Sequence, residues 1–244
     1  VLLGIGDDAA LLAPTAAETL VACVDTLVAD VHFPGDAPPD SVGHKALAVN
    51  LSDLAAMAAE PRWVLLSVTL PAADRDWLQA FVSGFDRLAR SQHVALVGGD
   101  TCQGPLSITV QALGSVPVGQ ALRRSGARAG DRIVVSGAPG EAGLGLRLLQ
   151  AGGIDAVRDD DRELVARLLQ RLHRPTPRVS LGRVLRGLAT ACIDISDGLV
   201  ADLGHVLDAS GVGARVDVDA LPIAPAVQQL VGFEPARQAA LGAG

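Results

Sequence analysis

The chain has no tyrosine, two tryptophans and four phenylalanines in 244 residues. So few rings argue against an aromatic-lined all-β recognition module and favour an α/β enzyme packed with Ala, Leu and Val. Positive charge is also short: 20 Lys and Arg stand against 27 Asp and Glu, a formal net charge of -7. Gripping a phosphate backbone takes clustered cations, so nucleic acid is not an expected partner. The three cysteines, Cys23, Cys102 and Cys192, cannot pair completely and lack metal-type spacing. That usage fits a reducing, cytoplasmic setting without disulfides. No apolar run reaches the ~18 uncharged residues of a membrane span, and no signal peptide is evident. Internal repeats and low-complexity tracts are absent, as is the Gly-Lys-Ser/Thr of a P-loop. Val1-Leu2-Leu3 starts abruptly and Leu241-Gly-Ala-Gly244 closes without a terminal element, so further residues are expected beyond both ends.

What is present centres on residues 43–60, GHKALAVNLSDLAAMAAE, which reads as a buried helix capped by Asp40 or Ser41 and ended by Pro61. It carries Lys45, Asn50 and Asp53, and the three-residue spacing of Asn50 and Asp53 puts both on one face. A carboxylate there costs several kcal/mol (order of magnitude) unless a metal, a cation or several donors meet it; a cap or core salt bridge is the structural alternative. Before this helix, residues 20–26 read as a strand covered on both sides with Asp25 at its end, followed by a loop holding Asp30 and His32. After it come a strand over 63–70 and an amphipathic helix over 74–91, whose inward stripe is Trp77, Phe81, Phe85 and Leu88. A strand over 93–97 runs into Gly98-Gly99-Asp100-Thr101, where two glycines let a ligand approach the backbone, and a further strand spans 106–116.

The organisation changes near Ala121, giving domains over 1–120 and 121–244. The second is expected to hold strands at 132–136, 190–195 and 214–218 and helices over about 160–172 and 199–210, the latter capped by Ser196 or Asp197. The glycine-rich run 137–145, which opens a helix reaching about Gln150, suits either an anion on backbone amides or close helix packing.

Asp7, Asp8, Asp25, Asp53, Asp100, Asp194 and Asp197 fall at strand ends, in glycine turns or in an apolar helix. Any one could be structural. Seven together would repel one another unless hard cations neutralise them, and oxygen-only ligands suit Mg²⁺ bridging nucleotide phosphates. Although Gly4-Ile-Gly6 superficially fits a dinucleotide fingerprint, Asp7 and Asp8 lie where the phosphate would, and Pro14 and a β-like run follow instead of a helix. With Arg123 and Arg124 in the same chain, phosphoryl transfer is the reaction class that uses this set.

GIGDDAALL (4–12), VDTLVADVHF (24–33), KALAVNLSDLAAM (45–57), VGGDT (97–101), RSGARAGD (124–131) and DISDGL (194–199), in this order and spacing, resemble the thiamine-monophosphate kinase family. The resemblance covers essentially the whole chain. That family belongs to the aminoimidazole-ribonucleotide synthetase superfamily, which binds ATP without a P-loop. It implies an α/β, two-domain fold: an N-terminal sheet domain that dimerises into a homodimer, a C-terminal α/β domain, and an active site in the cleft between. It further implies ATP-dependent conversion of thiamine monophosphate to thiamine diphosphate, with Mg²⁺ at Asp8, Asp25, Asp53, Asp100, Asp194 and Asp197. Gly99, Asp100, Arg124 and Ser196 match ATP positions, and His32 matches a position that contacts thiamine monophosphate.

Cys23 stands where the family has a hydroxyl residue near one metal, with the Val24 carbonyl beside it as a further ligand position. Ala58 replaces a Gly, a change expected only to tighten helix packing, and the family continues past Gly244 with a Glu-Asp-aromatic segment that helps hold substrate. Because the acceptor phosphate is already ionised, no general base is assigned. The alternatives are another ATP-dependent synthetase of the superfamily and a non-catalytic metal- and nucleotide-binding dimer.

Overall fold

The computed structural model describes Val1, Leu2, Ile5, Ala9, Ala10 and residues 12–242. The chain divides into two compact units, Val1–Leu122 with His173–Leu188, and Arg123–Leu172 with Ala189–Gly244. The stretch 173–188 thus groups with the first unit, although it lies inside the second domain expected from sequence.

The first unit is a four-stranded sheet with two long helices on one face. Its elements are β1 (Glu18–Val28), α1 (Pro39–Ala56), β2 (Glu60–Leu70), α2 (Arg75–Ser91), β3 (Ala95–Gln103) and β4 (Ser107–Pro117). Strand order is β1-β4-β2-β3; β2 and β3 are parallel, joined by the α2 crossover, and the other pairs are antiparallel. Asp74 caps α2 through bonds from the amides of Asp76 and Trp77, and Phe81, Phe85 and Leu88 are buried as the stripe requires. β1 departs from its expected two-sided cover. Leu27 is buried on the helix side, but Leu20 and Val24 are 47% and 60% exposed, because both helices pack on a single face.

α1 is also displaced from its expected span. It begins at Pro39, since a proline at the first helical position gives up an amide that would be unpaired anyway. Neither Asp40 nor Ser41 caps it: the Asp40 carboxylate pairs with Arg174, and the Ser41 hydroxyl donates to the Pro38 carbonyl. Nor does Pro61 stop it, being buried in β2. The helix closes in a Schellman motif, with the Ala58 amide donating to Ala55 and the Ala59 amide to Leu54. Ala58 therefore sits at φ 58°, the left-handed region, so the Gly-to-Ala difference brings backbone strain as well as packing. A left-handed Ala costs about 1–2 kcal/mol, while its buried methyl (about 0.8) and stiffer unfolded chain (about 0.4–1) offset most of that.

The segment 173–188 docks on both ends of this helix. Arg174 meets Asp40, the His44 ring bonds the Pro175 carbonyl, and α5 (Val179–Val184) brings Gly182 against the Ala55 backbone. Beyond α5, Arg186 donates from Nε and a terminal nitrogen to the buried Ala58 carbonyl at 2.8 and 2.6 Å.

The second unit is helical. α3 (Glu141–Gln150), α4 (Arg162–His173), α6 (Leu199–Ser210), α7 (Pro225–Val231) and α8 (Phe233–Gly242) surround a core of Leu144, Leu168, Val227, Ala236 and Ala239. The glycine run serves packing: a Cβ on Gly140 would lie 2.4 Å from Ala239 backbone, and one on Gly145 2.4 Å from the Leu168 carbonyl. The strands expected at 132–136, 190–195 and 214–218 join no ladder among the described residues. The 190–192 stretch bonds instead to the 123–131 connector, the Cys192 amide donating to Arg123 and the Thr190 hydroxyl to Asp131.

α1 and α2 touch at two glycines, where a Cβ on Gly43 would lie 2.1 Å from the Phe81 carbonyl oxygen and one on Gly84 1.8 Å from that of Asp40. Both obstacles are backbone, so the helices would have to separate. Gly84→Ala is expected to destabilise by about 3 kcal/mol, the upper end of overpacking costs. Thermal unfolding should show it as a midpoint on the order of 10 °C lower; an unchanged midpoint would refute the tight contact.

Candidate active site

Three groups of expected site residues lie in the first unit. The first surrounds Asp53. Asn50 is fully buried, and its side-chain amide donates to the Ala46 carbonyl one turn back. Cys23 on β1 points at this turn, its thiol 3.4 Å from the Asn50 carbonyl and 3.8 Å from Oδ1. Burial first, then the Asp53 and Asp25 charges, hold the Cys23 thiol well above its usual range. Cys23 is therefore a protonated thiol, a poor ligand for a hard cation, between two carboxylates that are good ones. The oxygen donors of Asp25 and Asp53 fit Mg²⁺ by their chemistry. Val24 lies in the unbroken β1–β4 ladder opposite Gln111.

The second group is on β3. Gly99 has φ 156° and passes so close to β2 that a Cβ would sit 1.9 Å from the Leu66 carbonyl oxygen, so this position requires glycine. Asp100 follows, exposed, and accepts a bond of 3.0 Å from the Cys102 thiol. That bond and the carboxylate charge raise the Cys102 thiol above its ordinary value. Register sets Asp100 level with Ser67, Thr109 and Thr26, one row from Asp25 and on the alternate side of the pleat. Among the described residues no three Asp, Glu, His or Cys side chains gather as a metal centre. Asp7 and Asp8 lie outside the described residues.

The third is the turn after β1. Asp30 adopts φ 62°, its amide donates to the Phe33 carbonyl, and its carboxylate accepts from the Gly35 amide. The His32 amide donates to Val28, and its Nδ1 accepts from the Val28 amide at 3.0 Å. With Nδ1 an acceptor, the neutral ring carries its proton on Nε2, and the exposed His32 offers a hydrogen-bond donor. Lys45, half-buried on α1 with its pKa lowered by that burial, donates to the His32 carbonyl at 3.0 Å and so anchors the turn.

In the second unit, Arg124 and the 194–198 loop come from adjacent segments. The Cys192 amide bonds Arg123, while the Ser210 hydroxyl donates to the Arg124 carbonyl and accepts from the Gly126 and Ala127 amides. Asp194 is half-buried, and Ser196 and Asp197 are exposed. Neither Ser196 nor Asp197 caps α6, whose N-cap is Gly198 without a side-chain bond. Asp202 takes that place from inside the helix, accepting from the amides of Ser196, Asp197 and Gly198. In the sequence Asp202 is signalled only as an acid one turn behind a Ser-Asp-Gly loop.

Two family models match, AIR synthase related protein N-terminal domain over residues 6–116 and C-terminal domain over 128–243. Thiamine-monophosphate kinase of Salmonella typhimurium is 49% identical across 99% of this chain and 73% of its own length, and that of Escherichia coli K12 is 47% identical over the same shares. The crystal structure of thiamine-monophosphate kinase from Stenotrophomonas maltophilia K279a superposes with TM-score 0.92 at 52% identity, covering all of this chain and 77% of that one. AaThiL complexed with AMPPCP and TMP gives 0.86 at 31% identity, over 95% of this chain and 74% of that one. On likeness of this extent, in sequence and in fold alike, the chain belongs to the thiamine-monophosphate kinase family.

Proposed function

We propose that this protein transfers the terminal phosphoryl group of ATP to the phosphate of thiamine monophosphate, giving ADP and thiamine diphosphate. The observation that carries the reading is near-complete alignment, 49% identical over 241 residues, with a relative that bears this activity in its name. AaThiL in complex with AMPPCP, an ATP mimic, and TMP supports the same substrate pair.

Asp25 and Asp53, with Asp8, Asp100, Asp194 and Asp197, would hold Mg²⁺, which supplies neutralisation of the phosphate charge. The Cys23 thiol and the Val24 carbonyl contribute least. Gly99 lets the nucleotide approach the β3 backbone, and Arg124 and Ser196 bind its phosphates. The donor Nε2–H of His32 orients the acceptor. An oxygen of the acceptor phosphate attacks the γ-phosphorus as the bond to ADP breaks, so no side chain removes a proton.

We assign residues 1–120 to nucleotide and metal binding and to dimerisation, and 121–244 to the C-terminal domain. The homodimer reading is supported by the bare sheet face carrying Leu20 and Val24. Free Cys23, Cys102 and Cys192 support a cytoplasmic setting.

Nucleotide consumption should depend on thiamine monophosphate, and Asp53→Asn should lower it by more than about 100-fold, beyond the range typical of outer-sphere changes. Near-native turnover of the variant at low Mg²⁺ would make Asp53 a structural carboxylate. His32→Ala should raise the KM for thiamine monophosphate and leave that for ATP within about twofold, read by varying each substrate in turn. An unmoved acceptor KM would remove His32 from the site. Sedimentation should give twice the chain mass, and Leu20→Arg should halve it; a monomeric native protein would end the dimer reading.

A further inference from the structure

The loop before α6 is folded around an anion of its own. Asp202 is 3% exposed, and its Oδ2 accepts from the amides of Ser196, Asp197 and Gly198 at 2.9, 3.1 and 3.2 Å. The Asp202 amide returns a bond of 3.0 Å to the Gly198 carbonyl. Three successive amides converging on one point make the concave cradle that elsewhere receives a phosphate. Here a side-chain carboxylate fills it, through charge-assisted bonds that are stronger than neutral ones. Gly198 completes the turn at φ 120°, where a side chain would be strained.

The arrangement commits all three donors internally and leaves the Ser196 and Asp197 side chains on the exposed side of the loop. We propose that Asp202 is a positioning residue for nucleotide binding: it fixes the 196–198 backbone so that Ser196 and Asp197 are presented to a metal–nucleotide, whose phosphates are then met by side chains and cations and not by loop amides. This rests on the assignment of Ser196 and Asp197 to ATP and Mg²⁺. Asparagine at 202 would keep one acceptor oxygen but lose the charge and turn an NH₂ toward three N–H groups.

Calorimetric titration of the whole protein with Mg²⁺ and AMPPCP, and separately with thiamine monophosphate, tests the role. Asp202→Asn is expected to weaken the nucleotide about 10- to 100-fold, as loss of an outer-sphere partner does, and thiamine monophosphate by less than about threefold. In an Asp197→Asn background the same change should add little, because Asp202 acts through that loop. Native nucleotide affinity for Asp202→Asn, or an equal loss in both backgrounds, overturns the proposal and leaves Asp202 a helix cap. Native affinity for Asp197→Asn alone would instead overturn the underlying nucleotide assignment. Hydrogen exchange on the unaltered protein needs no variant. The amides of residues 196–198 should be protected before nucleotide is added and gain no more than those of 203–206 afterwards. Protection appearing only with nucleotide would mean that the phosphates, not Asp202, occupy the cradle.

Discussion

The first unit depends on how closely α1 can lie against its neighbours. Gly43 and Gly84 bring its start into backbone contact with α2, and Gly182 brings α5 onto its end at Ala55. Contacts of this kind leave no slack, because the obstructing atoms are main chain and cannot rotate away. The polar residues of α1 inherit that rigidity. Asn50 keeps its bond to Ala46, Cys23 reaches the Asn50 carbonyl from β1, and Asp53 stands one turn further along the same face. An ångström of helix drift would move Asp53 relative to the strand that carries Asp25, and the glycine contacts near both ends of the helix prevent it.

Charge is handled differently from place to place. Asp202 is satisfied wholly by amides, Asp40 by Arg174, and Asp131 by the Thr190 hydroxyl and the Arg128 amide, which lower its pKa. These carboxylates shape backbone. The Cys23 thiol beside Asp25 and Asp53 is kept protonated first by its burial and then by their charges, so it adds no third negative charge there. Cys23, like a hydroxyl residue, thus stays uncharged at its place inside β1.

Much of the first unit was legible because its signals are local. The extent of α2, its aromatic stripe and the strands on either side of it follow from periodicity. α1 ends at Ala56, four residues before the expected Glu60, because Ala58 in left-handed conformation closes it and Pro61 does not. Two-sided cover of β1 was inferred from its apolar run, yet the same run serves a strand with one bare face. In the second unit, runs such as 132–136 have strand-like composition, but a strand exists only where a partner offers a ladder. For the candidate site, the acidic and glycine positions stand out one at a time in the sequence, whereas Asp202 is marked only by its spacing behind the Ser-Asp-Gly loop until three amides are seen to point at it.

The docking of residues 173–188 on the first unit has a bearing on how the chain is made. β1 must wait for β4, with Glu18 opposite Pro117, so the sheet closes late. Even then the first unit lacks Arg174, the partner of Asp40, and Arg186, the donor to the Ala58 carbonyl, until synthesis has passed Leu188. By that point α3 and α4 of the second unit already exist. A ribosome therefore cannot finish one unit before starting the other, and each must hold its apolar surface partly formed while the other's sequence passes through.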